Sequence, residues 1–90
     1  MAPRFLVEVL AKELGHRGIT VNSVLPTATE GAGVSTEGIR KSVREYLARF
    51  NPMRRAASLH DVADTVEYLV SDLARYVSGQ HLLLSGGAPA

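Results

Sequence analysis

Thr27 and Thr29 are the side chains whose type and spacing come nearest to binding chemistry in this 90-residue chain. They open a run of small residues, Thr27-Ala28-Thr29-Glu30-Gly31-Ala32-Gly33-Val34-Ser35. Their hydroxyls can hold a phosphate or an amide, and the same composition also suits a plain flexible connection. Gly31-Ala32-Gly33 is not a dinucleotide fingerprint, which needs a third glycine at the right offset and a helix starting on it. His16 has no second ligand or acid nearby in sequence and reads as a solvated turn residue. His60 falls in a first helical turn and reads as exposed. There is no cysteine, which excludes a disulfide framework, a zinc-thiolate site and a cysteine nucleophile, and fits a reducing cytoplasm. No catalytic residue and no metal ligand is assigned.

The loop follows a strand. Gly18-Ile19-Thr20-Val21-Asn22-Ser23-Val24-Leu25-Pro26 is rich in β-branched residues between a glycine and a proline. Apolar residues fall on both alternating faces, the pattern of a strand covered on both sides in a parallel sheet. The end of such a strand is where open α/β sheets bind ligands. Before it, Phe5, Leu6, Val9, Leu10 and Leu14 recur at three- and four-residue steps, which predicts a helix over about 3–14 with Gly15 as a left-handed cap. After it, Ile39, Val43, Tyr46, Leu47 and Phe50 make the inward stripe of a helix over about 36–50, ended by Asn51-Pro52. Arg40, Lys41, Arg44, Glu45 and Arg49 decorate its other side and read as a solvated face.

Ser58-Leu59-His60-Asp61 has capping-box spacing and opens a third helix over about 59–72, expected to bury Val62, Ala63, Val66, Leu69, Val70 and Leu73. His81 to Leu84 reads as a second strand. The connection between the strands is long and helical, so the two (about 19–25 and 81–84) are expected to be parallel. The expected class is α/β. Formal net charge is +1, which gives no reason to expect nucleic acid or a membrane as partner. No apolar run approaches the roughly 18 residues of a membrane span.

These pieces, in order, resemble the short-chain dehydrogenase/reductase family. The residues that carry the resemblance are Ala11-Lys12-Glu13-Leu14-Gly15, Arg17 to Asn22 with Pro26, Asn51-Pro52-Met53 with Arg55, Asp61-Val62-Ala63, and Ser71 to Gln80 with Ser85-Gly86-Gly87. The resemblance implies a partial Rossmann fold, with residues 1–90 as a single C-terminal fragment of an NAD(P)-binding domain. It implies oxidation or reduction of a carbonyl, an alcohol or an enoyl group with NAD or NADP.

By the same resemblance, the family's chemistry uses a serine and a Tyr-x-x-x-Lys pair, in which the lysine lowers the tyrosine's pKa. Tyr46, Tyr68 and Tyr76 are followed four residues on by Phe50, Asp72 and Gln80. The family's glycine-rich cofactor turn does not occur either, so the chain is expected to be catalytically incomplete. The cofactor-side positions carried over are Pro26, Thr27 and Thr29, with Thr29 ahead of Thr27 for the pyrophosphate side. Asn22 carries over as structural support, and Arg55 and Asp61 as structural positions. The alternative function is a non-catalytic remnant or an oligomerisation module. The expected partner is a second copy or a full-length relative, and the expected location is cytoplasmic.

Overall fold

The computed structural model describes residues 4–27, 29–30 and 41–88. In chain order the elements are α1 (Arg4–Leu14), β1 (Ser23–Pro26), β2 (Thr29–Glu30), α2 (Lys41–Phe50), β3 (Ala57–Ser58), α3 (Leu59–Leu69) and β4 (His81–Leu84). The chain divides into two compact units, residues 1–25 with 64–82 and residues 26–63 with 83–90.

β1 and β4 form a two-stranded sheet. Ser23 N–H donates to Gln80 O at 2.9 Å and Thr27 N–H to Leu84 O at 3.3 Å. The partners advance together along both strands, so the pairing is parallel, as expected. β1 is shorter than its sequence pattern and begins at Ser23 rather than near Ile19. The reason lies in residues 18–22. Gly18 takes a left-handed turn at φ 74°. Val21 N–H then goes to Ser78 Oγ at 3.0 Å, and Asn22 spends its side chain on residues 77 and 80. Side-chain bonds there replace the strand ladder. Pro26 is the last residue of β1, so the strand ends there as read. In this register Ser23 and Thr27 turn their N–H groups to β4, so position 26 faces the other edge and loses no ladder bond to β4.

A second parallel pair, β2 with β3, matches Thr29 to Ala57 and Glu30 to Ser58. Two residues per strand leave no period to read, and the sequence pattern did not announce it. The left-handed cap expected at Gly15 falls at Gly18. Gly15–Arg17 tightens into a 3-10 turn, which postpones the reversal by three residues, and Gly18 N–H closes it on Gly15 O at 2.9 Å. α3 stops at Leu69 rather than near 72. Ser71 donates its hydroxyl to Tyr68 O and accepts Leu73 N–H, so it closes one helix and starts a 3-10 turn at Asp72–Ala74. α2 ends at Phe50 as read, and the expected start near 36 lies outside the described residues, as do Pro3 and Ile39.

The expected inward faces are corrected by exposure. Ala56 and Ala74 are the buried apolar residues among those described. Phe5 of α1 is 78% exposed, and Val66, Val70 and Leu73, expected inside, are open, Leu73 at 83%. Ala63 is exposed too. The helices form with the right period, but among the described residues none of their apolar stripes is fully buried. Each large side chain left open forgoes about 1.5–3 kcal/mol of burial.

Candidate cofactor-side loop

Pro26, Thr27 and Thr29 follow one another where β1 gives way to the loop and β2 begins. Thr27 is held twice by one acceptor: its N–H and its Oγ1 both reach Leu84 O, at 3.3 and 2.9 Å. Thr29 Oγ1 donates to Thr27 O at 2.7 Å. The hydroxyl protons of both threonines are therefore spent on carbonyls. What each oxygen keeps is its capacity to accept. As it stands, the loop can receive an amide N–H. Donation to a phosphate would require either hydroxyl to leave its carbonyl. Pro26 and Thr27 are exposed and Thr29 is half-buried.

The end of β4 that holds Thr27 is fixed in turn by a residue read in sequence only as a helix stop. Asn51 is buried, 9% exposed. Its Nδ2 donates to Ser85 O at 3.0 Å and its Oδ1 accepts Met53 N–H at 2.9 Å. Gly86, at φ 65°, passes so close that a Cβ there would sit 2.6 Å from Asn51 Oδ1. Asn-Pro before a turn and a Gly-Gly pair 35 residues later were each visible, but nothing in the sequence joined them.

Arg55 and Asp61 meet in a two-pronged pair, Nη1 to Oδ2 at 2.6 Å and Nη2 to Oδ1 at 3.2 Å. Ser58 and Asp61 close the capping box: Ser58 N–H donates to Asp61 Oδ2 at 2.8 Å, and Asp61 N–H to Ser58 Oγ at 3.2 Å. The Arg55 guanidinium, then the Ser58 N–H, hold the Asp61 carboxyl well below its ordinary range. Arg55 is raised in return, first by its hydrogen bond to Asp61. These bonds fix the entry to α3.

In the other unit Asn22 bridges the turn before β4. Its Nδ2 donates to Val77 O at 3.0 Å and its Oδ1 accepts Gln80 N–H at 3.0 Å. This is the supporting role read for it. Sequence reasoning missed a neighbouring chain of contacts, Ser23 Oγ to His81 Nδ1 at 2.7 Å and His81 Nε2 to Glu8 Oε2 at 3.3 Å. Their separations of 58 and 73 residues leave no local signal. A serine, a histidine and an acid in series resemble a nucleophile relay. However, Ser23 N–H is committed to Gln80 O, so it offers no oxyanion donor beside the hydroxyl. An open depression lined by Glu8, Ala11, Lys12, Ser78 and Gly79 includes neither Ser23 nor any loop residue. Among the described residues no cluster of His, Asp and Glu is arranged to hold a metal ion, and no helix is long and apolar enough to cross a membrane.

Known proteins match this arrangement from end to end. A family model described as Enoyl-(Acyl carrier protein) reductase matches residues 2–89. A 3-oxoacyl-[acyl-carrier-protein] reductase, FabG, of Staphylococcus epidermidis is 37% identical over 84 residues, 91% of this chain and 33% of the relative. The solved hydroxysteroid dehydrogenase of Escherichia coli superposes with a TM-score of 0.82 at 31% identity, covering 97% of this chain and 36% of that one. The 3-ketoacyl-(acyl-carrier-protein) reductase of Brucella melitensis, solved with NADH, gives a TM-score of 0.74 at 30% identity, over 93% of this chain and 32% of that one. The chain thus spans about a third of the length of the relatives it matches.

Proposed function

Because this chain belongs to the short-chain dehydrogenase/reductase family, we propose that it is the cofactor-side, C-terminal part of an NAD(P)-dependent oxidoreductase fold. The complete fold would act on a carbonyl, an alcohol or an enoyl group. The observation that carries the reading is the state of the two hydroxyls. Thr27 and Thr29 are fixed by bonds to Leu84 O and Thr27 O with their lone pairs free to accept. That fits the carboxamide N–H groups of a nicotinamide. The nicotinamide, when bound, supplies the hydride. In this reading Pro26 shapes the end of the strand and Thr27 accepts from the carboxamide. Thr29 lies toward the pyrophosphate, where its hydroxyl must turn away from Thr27 O to donate.

The chain has no Tyr-x-x-x-Lys pair to pass the proton and no glycine-rich turn to seat the pyrophosphate. By itself it is therefore expected to be inactive. Titration of the pure 90-residue chain with NADH and NADPH, followed by fluorescence, should show no saturable binding and no turnover with a β-keto thioester. Adding the N-terminal two-thirds of a relative should restore binding, and Thr27→Ala should then weaken it about tenfold, a lost hydrogen bond in a desolvated site. Saturable binding by the chain alone would overturn this account.

A second reading, self-association or pairing with a full-length relative, is favoured by the open apolar residues of one unit, Phe5, Leu6, Val70 and Leu73. Large apolar side chains left open in this way are available to a partner. Light scattering at micromolar concentration should give a mass above 9.7 kDa, and a clean monomer that melts cooperatively would remove the reading.

A further inference from the structure

The formal charge of +1 conceals an uneven distribution. Between residues 41 and 55 stand five cations, Lys41, Arg44, Arg49, Arg54 and Arg55, against one acid, Glu45. At 100° per residue, Val43, Tyr46, Leu47 and Phe50 fall on one side of α2, and Lys41, Arg44 and Arg49 lie around the other. No described residue of α2 is buried. Tyr46 is 61% exposed and Phe50 63%, with their ring centroids 4.9 Å apart and tilted by 45°, and Met53 beyond the helix is 63% exposed. The guanidinium of Arg49 lies 6.0 Å from the Phe50 ring, at the border of the apolar stripe.

A second observation is independent of the helix. Arg54 has φ 63°, the one left-handed residue other than glycine among those described. Glycine would take that conformation freely, whereas a side chain with a Cβ takes it at a cost. The turn is enforced locally, by Arg54 N–H on Asn51 O at 2.8 Å and by Met53 N–H on Asn51 Oδ1. No described hydrogen bond or ion pair repays Arg54 for its side chain. A cation kept at an unfavourable backbone position, next to an open methionine and an open aromatic pair, points to a use for the charge outside the turn.

We propose that α2 together with Met53 and Arg54 is a peripheral docking surface for an anionic lipid headgroup layer. The stripe of Val43, Tyr46, Leu47 and Phe50 lies toward the acyl boundary, Met53 extends it, and Arg49 and Arg54 meet the lipid phosphates, while Lys41 stands on the far side of the helix within 3.9 Å of Glu45. An in-plane amphipathic helix combines an apolar face with cations on its polar side in this way. A protein groove would take the same apolar anchors; the five cations against one acid between residues 41 and 55 favour the anionic layer.

The test is flotation of the complete 90-residue chain with phosphatidylcholine vesicles, with and without about a third phosphatidylglycerol. Flotation separates bound chain from aggregate, which sinks. The chain should float with the anionic vesicles, and added salt should release it. Arg54→Gly relieves the backbone, so it keeps the fold while weakening binding about fivefold. Arg49→Gln should do the same, and Phe50→Ser should weaken binding tenfold or more. Failure to float, equal flotation with neutral vesicles, Arg54→Gly binding as well as the original, or binding to an acidic protein or DNA in place of anionic vesicles would each overturn the proposal. Cofactor binding does not enter the readout, so the outcome is separate from that of the function proposed above.

Discussion

Two asparagines perform the same task in different parts of the chain and differ in how much depends on them. Asn22 uses both ends of its amide to bridge Val77 O and Gln80 N–H, before β4. Asn51 uses both ends to bridge Ser85 O and Met53 N–H, after β4. Asn22 is half-buried with Gln80 exposed beside it, whereas Asn51 is buried with Gly86 packed against its Oδ1. The side chain and the bond count are alike. What separates them is access to water, which can replace a lost partner at residue 22 and cannot reach residue 51 as readily.

The largest effect should come from the backbone that Asn51 packs on. Gly86→Ala places a Cβ 2.6 Å from Asn51 Oδ1 at φ 65°, so it adds a steric clash to the left-handed penalty and should cost about 2–4 kcal/mol in urea unfolding. Gly18→Ala is the control. Its φ is 74° but nothing lies within 4 Å of the added Cβ, so only the conformational cost of about 1 kcal/mol applies. If the two variants lose equal stability, packing on Asn51 is not the cause. Next come the asparagines themselves. Asn51→Ala leaves two backbone groups unsatisfied and should cost about 2–3 kcal/mol, while Asn22→Ala should cost about 1 kcal/mol, because water can take over. Equal losses would break the comparison.

The smallest effect is the acid end of the pH profile. Asp61 is lowered in the folded chain, so its contribution is full above the ordinary carboxylate value of 3.8. It is lost as pH falls from there through the lowered folded value. Unfolding midpoints measured from pH 5 downward should drop for the original chain and flatten for Asp61→Asn. The exposed geometry of the Arg55 pair keeps the change small.

How much of this was legible depended on the range of the interaction. The capping box at Ser58 and Asp61, the stop at Asn51-Pro52 and the helical periods were local, and the sequence carried them. The parallel pairing of β1 and β4 followed from the length of the connection between them. Burial was misjudged at Val66, Val70 and Leu73 because a period states which side of a helix is apolar and not whether anything lies against it. Thr27 and Thr29 were found as hydroxyls in a small-residue loop. The Thr29 proton goes to Thr27 O, two residues back, whereas the commitment of the Thr27 proton to a carbonyl depends on Leu84, 57 residues away. The β2–β3 pair and the Glu8–His81–Ser23 series were invisible for the same reason.

That last series makes the three histidines chemically unequal. A carboxylate only accepts, so Glu8 holds an imidazole proton on Nε2 of His81, and in the neutral ring Nδ1 receives the Ser23 hydroxyl. Both nitrogens are occupied and the ring is largely covered, its side chain 14% exposed, while His16 and His60 stand in solvent. An acylating reagent that counts imidazoles would find two of them promptly and the third only as fast as α1 lets go of the sheet.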